Sequence, residues 1–472
     1  MTTLPAHATS LLTLEEHIEP RPEGARRVHY IYHQFRVEQG AALVYARLTF
    51  FKSETGHNHL FLALFDPHTF RGARMKHRAK HNVELVLWVA PDDAGEGGLP
   101  GELPAGRWRV LVDVGRLTEP QDYRLEVRAV YGDAPAPVAV TYPAGHVTVP
   151  GPGWYKGELH AHSTESDGKF PVAAVVQAAM DAGLDFLSLT DHFTVSQWRK
   201  LAPLVNSRTA LLRACEITSH HGHANLHGLH EWVDVYVDRL GWSMNDAADA
   251  AHAQGALFCI NHAYSGNLGW RAYDFDWSRA DLFEIYHNLE ASNNNHQMPL
   301  WDRLLAAGVR IVGVGGTDSH DPFTGLHALG QLVTWVYADE LSEAGILAGL
   351  RRGQVYVSRG PQLRFTAANA VGDTATLWES LPSHDAPITF TVETLIDRPM
   401  RLIVLRDGLP FDAWELAPRD AWQTVTFQDA PTQKAYYRVE LHTYPNIEGF
   451  SYVEWRDFTT FQAASNPIWV NA

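Results

Sequence analysis

From Trp154 onward the chain follows a rule that its two ends do not: short apolar runs alternate with helical stretches. The pattern predicts strands at 157–162, 184–190, 210–217, 223–229, 256–261, 282–287 and 309–314. It predicts helices at 172–182, 243–254, 296–307 and 339–352. Gly183 closes the first helix and Gly308 the third. A glycine there takes the left-handed backbone that ends a helix without a Cβ clash. Ser243 or Asn245 suits the N-cap of the second. Parallel neighbours need a crossover, usually a helix, so this alternation favours a parallel β/α barrel over a sandwich. A doubly wound open sheet is the alternative, but the chain has no G-x-G-x-x-G turn to support one around a dinucleotide.

The flanks read differently. Between Val28 and Val130 the runs alternate polar and apolar residues, as in Val83-Glu84-Leu85-Val86-Leu87-Trp88-Val89, and are parted by turns such as Pro91-Asp92-Asp93-Ala94-Gly95. That is the pattern of an all-β sandwich. A Pro/Gly-rich linker covers 132–153. After Ser358-Arg359-Gly360-Pro361 the alternation returns in Ile388–Thr394, Arg401–Arg406 and Tyr436–Leu441. The expected organisation is an N-terminal β-sandwich over 1–150, a β/α barrel over 151–362 and a smaller C-terminal β-sandwich over 363–472. About three domains is the prior for this length.

Composition narrows the partners. A net charge of −16 argues against a nucleic-acid partner. No apolar run reaches membrane-spanning length, so no membrane partner is expected. Cys215 and Cys259 lie in apolar runs and read as buried thiols rather than a disulfide. The N-terminus lacks a basic segment followed by an apolar run, so a cytoplasmic setting is expected. The expected partner is a small-molecule substrate; the sequence leaves the oligomeric state open.

Metal-type residues gather where the predicted barrel strands end. His160 and His162 end the first strand, in Gly157-Glu158-Leu159-His160-Ala161-His162-Ser163, and point to one face because residues two apart on a strand do. Asp191-His192 follows the second and Glu216 ends the third. His223 opens the run Gly222–Gly228, His262 follows the fifth, and Asp318 and His320 follow the seventh. A satisfied core histidine explains any one of these, but not so many at equivalent positions. Active sites of β/α barrels lie at this face.

These motifs, in this order, resemble the PHP (polymerase and histidinol phosphatase) superfamily of metal-dependent hydrolases. The resemblance spans about residues 154–362: the H-x-H with a following Ser166-Asp167-Gly168, Thr190-Asp191-His192, Glu216, His223, Asn261-His262 and Asp318-Ser319-His320. The run Asp281-Leu282-Phe283-Glu284-Ile285-Tyr286-His287-Asn288 and the closing Ser465-Asn466-Pro467-Ile468-Trp469-Val470 resemble the CehA/McbA-type, carbaryl-hydrolase-like branch. The resemblance implies a distorted (β/α)7 barrel and two or three divalent metal ions, Zn, Mn or Fe. It implies a first metal position at His160, His162, Glu216 and Asp318. Glu216 would bridge to a second, held by His223 and His262. Asp167, His192 and His320 would hold a third, tuned by Asp167 standing where the family carries an acid or a His. His160, His162, Glu216, Asp318 and His320 are the implied catalytic set. Asp191, next to the ligand His192, would orient its ring by accepting a hydrogen bond from it.

Two divalent cations close together lower the pKa of a bridging water and polarise a phosphoryl or carbonyl oxygen, so no Ser or Cys nucleophile is needed. The chain has no G-x-S-x-G elbow. The expected activity is hydrolysis of a small phosphoester. Arg213 and Arg271 are the expected phosphate-binding cations, and His287 and Asn288 the expected substrate-orienting groups. An aryl carbamate, ester or amide hydrolase is the alternative, with Tyr264, Trp270, Tyr273, Trp277 and Tyr286 as aromatic walls. A third reading, a catalytically silent binding module, is disfavoured because every ligand position holds a ligand-type residue.

Overall fold

The computed structural model describes residues 7–20, 30–53, 57–76, 81–236, 241–287, 291–443 and 460–471. Two four-stranded antiparallel sheets form the N-terminal sandwich. One has the strand order Thr9–Ile18, Gln121–Tyr131, Ala41–Lys52, His81–Val89; the other Tyr30–Val37, Gly106–Arg116, His59–Phe65, Phe70–Arg74. Alternate residues fill the space between them, with Val44, Leu48, Leu85, Trp108, Val110 and Leu125 fully buried. This is the half-buried period-two packing that the alternation predicts.

The central region is built on seven strands that neighbour one another in chain order: β1 (Gly153–Ala161), β2 (Phe186–Leu189), β3 (Ala210–Ser219), β4 (Gly222–His227), β5 (Leu257–Ile260), β6 (Leu282–His287) and β7 (Val312–Gly316). Helices α1 (Val172–Asp181), α2 (Gln197–Leu201), α3 (Met244–Ala253) and α4 (Ala291–Ala306) cross between them, and α5 (Glu343–Arg352) follows. Ser243 caps α3 in a reciprocal capping box with Asp246. Gly353, at φ 66°, ends α5. The sheet curls until Ala161 and Ser319 form a parallel bridge, so the first and last strands meet at one end.

The regular β/α alternation expected from the sequence holds only in part. Strands β3 and β4 form an antiparallel hairpin, with Ser219 opposite Gly222. A turn that short cannot carry a crossover. No α-helix lies between β5 and β6 among the described residues; the 3-10 turns Gly266–Leu268 and Trp277–Arg279 fill the gap. Nor does the sheet stop at the central region. Beyond β1 it continues through Val333–Ala338 and Val355–Ser358 into Phe461–Ser465, Ala435–Thr443, Met400–Arg406 and Leu409–Leu416. A separate antiparallel sheet, Thr374–Thr376, Gln362–Ala368, Ile388–Leu395 and Gln423–Asp429, packs on that extension around Phe365, Phe390, Leu402 and Val439. The chain is multidomain and mostly β, and no described helix is long and apolar enough to cross a membrane.

Strand direction positions the site. β1, β2, β3, β5, β6 and β7 run in one direction and β4 in the other. One rim therefore carries the C-terminal ends of six strands and the N-terminal end of β4.

Candidate metal centre

All the expected ligand-type residues lie on that rim. His160 lies at the end of β1 and His162 just past it, Glu216 lies near the end of β3, and His223 is near the start of β4, which is why the reversed strand still delivers its histidine to the same place. His192, His262, Asp318 and His320 follow β2, β5 and β7. His262 and Asp318 have positive φ, 25° and 51°. Non-glycine residues pay strain there, and such strain is typical where a side chain must be turned into a site.

Glu216 sits at the middle. Its Oε2 lies 2.9 Å from His192 Nδ1, 3.3 Å from His160 Nε2 and 3.4 Å from His162 Nε2. Its Oε1 lies 3.0 Å from His223 Nδ1 and 3.7 Å from His262 Nε2. Asp318 Oδ1 is 2.9 Å from His162 Nε2 and 3.4 Å from His160 Nε2. Asp167 Oδ1 is 3.0 Å from His320 Nε2 and 3.5 Å from His192 Nε2. Potential ligand atoms within 4.8 Å of one another gather in overlapping groups: His160, His162 and Glu216; Glu216, His223 and His262; and His162, Asp167, His192 and His320. A further group joins His287 to His160 and His262.

This donor set fits divalent cations. Burial raises a carboxyl, yet Glu216 is held well below its usual range by His192 and His160, and Asp318 by His320 and His160. Burial, with His192 and His320 nearby, pushes His162 down to about 3. Burial also outweighs the Glu216 contact at His223 and leaves it at about 4. Against its burial, Asp167 and Asp318 raise His320 to about 9. Glu284 and Glu216 raise His160 well above its ordinary value, and Glu216 and Asp167 raise His192, both against burial. Buried carboxylates interleaved with imidazoles form the mixed oxygen and nitrogen donor set that suits Zn, Mn or Fe. His162 Nδ1 and His262 Nδ1 are buried with no hydrogen-bond partner among the described residues.

Some residues had no expected role in the sequence. Glu284, on β6, places Oε1 2.6 Å from His160 Nδ1 and accepts from the His262 N–H with Oε2. Its signal was a carboxylate inside the apolar run Leu282–Tyr286. A Cβ on Gly316 would lie 2.1 Å from Glu284 Oε1, so glycine is required there. Thr218 Oγ1 bonds His192 Nδ1 at 2.5 Å, and Asn261 donates to Glu216 Oε1. Glu158 accepts from Leu159, His160 and Thr317, and burial pushes it up to about 7.

Asp191 does not orient His192. Its carboxylate accepts from the backbone and hydroxyl of both Ser163 and Ser166, and so holds the loop that follows β1. Arg213 is not at the rim either. It precedes Glu216 on β3 by an odd number of residues and so points to the opposite face, where it pairs with Glu343 and lies over Tyr142. Arg271 is exposed and donates to Gly266 O. His287 is buried at the site, its Nε2 3.6 Å from Asp318 Oδ2. Asn288 lies outside the described residues. Of the aromatic residues, Tyr286 stacks on Phe461, and Trp270 and Trp277 pack with Phe275, whereas Tyr264 and Tyr273 are exposed.

No family model matches the chain. A stretch of 65 residues is 37% identical to the DNA polymerase/3'-5' exonuclease PolX of Bacillus subtilis, covering 14% of this chain and 11% of that protein. Among solved structures, a two-domain protein of Bacteroides vulgatus, described as containing a predicted PHP-like metal-dependent phosphoesterase, aligns over 71% of this chain and all of its own, with 16% identity. Its TM-score of 0.39 is too low to transfer a fold or an activity.

Proposed function

We propose that the chain is a metal-dependent hydrolase of the PHP type, acting on a small phosphoester. The observation that carries this is Glu216: one buried carboxylate reaches His160, His162 and His192 with one oxygen and His223 and His262 with the other. His160, His162, Glu216 and Asp318 would hold one cation, Glu216, His223 and His262 a second, and Asp167, His192 and His320 a third. When bound, such ions supply a nucleophilic hydroxide near neutral pH and electrostatic stabilisation of the developing charge. The chain contributes the fixed geometry. Glu284 fixes the His160 ring and Thr218 the His192 ring. The local likeness to a protein named as a 3'-5' exonuclease is in keeping with phosphoester chemistry.

Hydrolysis of a carbamate, ester or amide by the same centre is the second reading. It is favoured by the engagement of both expected phosphate cations elsewhere: Arg213 with Glu343 and Arg271 with Gly266 O. The deciding experiment is elemental analysis of the purified protein, with hydrolysis of p-nitrophenyl phosphate and 1-naphthyl N-methylcarbamate compared after loading with Zn, Mn or Fe. Bound metal with phosphate release supports the first reading. Turnover of the carbamate alone supports the second, and inactive, metal-free protein after loading removes both.

A further inference from the structure

The loop Ser163–Gly168 leaves β1 and carries Asp167. Asp191 holds it from one side. The N-terminal sandwich holds it from the other. Arg74, 7% exposed, donates from Nη1 to Thr164 O at 2.7 Å and Ser166 O at 2.6 Å. Gly97 donates to Glu165 Oε2 at 3.1 Å, and the same oxygen accepts from Ser196 Oγ. Gly97 O accepts from Thr194 Oγ1 at 2.9 Å, two residues past His192. A Cβ on Gly97 would lie 1.9 Å from Ala73 O and 3.0 Å from Glu165 O, so the backbones meet closely. The sandwich thus bonds to both loops that carry Asp167 and His192, the two ligands of the third position that come from outside the β7 end. Buried carbonyls left without donors are costly, so these loops are specified by a different domain from the one that bears them.

We infer that the N-terminal sandwich is a working part of the metal centre: Arg74 and Gly97 set the spacing of Asp167 from His192 and thereby the affinity of the third metal position. The inference rests on the metal-centre reading above. Arg74 touches no ligand side chain and is a positioning residue. Ligand geometry must hold within about 0.5 Å to bind well, and Ser166 is covalently next to Asp167.

The test uses the full chain, with Zn2+ as the probe, followed by calorimetric titration and elemental analysis. The parent is expected to bind three equivalents. Arg74→Ala is expected to weaken the weakest equivalent by about 10–100-fold, the range for groups that orient ligands, and to leave the other two unchanged. Arg74→Lys is expected to recover part of the loss. Thr194→Val probes the His192 side without removing a charge, and serves if Arg74→Ala fails to fold by thermal melting. Parent-like binding in the folded variants overturns the inference, and so does an equal loss at all sites. A parent that binds only two equivalents overturns it while leaving the metal-centre reading intact; a parent that binds none removes both.

Discussion

Glu284 Oε1 lies 2.6 Å from Nδ1 of His160, and both side chains are buried. The contact fixes the tautomer that leaves His160 Nε2 free to face Glu216 and Asp318. Glu284→Gln keeps the shape but loses the charge. It is expected to lower metal affinity at the first position by about 10–100-fold. Titration with Zn2+ monitored by calorimetry measures it; unchanged affinity would show that the carboxylate is only a packing partner.

Glu216 is shared by groups that otherwise have separate ligands, so it cannot be removed from one alone. Glu216→Ala is expected to strip at least two metal equivalents and to reduce hydrolysis below detection. Asp318→Ala, which removes one neighbour of His160 and His162, should lower metal content by less while also abolishing turnover. Elemental analysis beside phosphate release distinguishes the two. Activity retained in either variant would remove the site assignment.

Much of this centre was legible because strand geometry is local. The period of two put His160 and His162 on one face, and the ends of predicted strands put Glu216, His262 and Asp318 on one rim. The same parity, applied to Arg213 and Glu216, would have turned Arg213 away. The β3–β4 hairpin was also within reach, since the few residues between 217 and 223 cannot hold a crossover of a dozen or more. Glu284 was not legible. Its partner lies 124 residues earlier in the chain, and nothing in the local pattern reports that pairing. Arg74 and Gly97 were hidden for the same reason: they act on a loop of another domain.

Proton release should accompany metal uptake. In the metal-free protein Asp167 and Asp318 raise His320 to about 9 from an ordinary 6.5, against its burial. A raised histidine stabilises the fold fully below its unfolded value, and that contribution fades as pH climbs from 6.5 towards 9. Metal-free parent is expected to lose melting temperature over this window more steeply than His320→Gln. Bound metal requires unprotonated nitrogen, so Zn2+ binding at pH 7 is expected to release a proton from His320. Calorimetry in buffers of different ionisation enthalpy counts it, and a heat independent of buffer would contradict the assignment.

A buried ion cluster joins α4 to the C-terminal strands. Arg438, fully buried on strand Ala435–Thr443, meets both oxygens of Asp302 at 2.8 Å and Glu440 Oε1 at 2.6 Å. Glu440 is held at about 2, burial being outweighed by Arg438 and His442. Replacing Arg438 by Met keeps the volume but takes the guanidinium from Asp302 and Glu440, which keep only partners such as the Tyr436 hydroxyl and the His442 ring. Breaking a buried pair in this way typically costs about 3–5 kcal/mol, whereas replacing every partner by apolar groups can be neutral. Arg438→Met is therefore expected to lower the urea midpoint strongly. The triple variant with Asp302→Leu and Glu440→Leu should recover most of the loss. Metal stoichiometry in the folded protein should not change, because none of these side chains is among the ligand-type groups of the rim. A single variant as stable as the parent would show that water already shares this network.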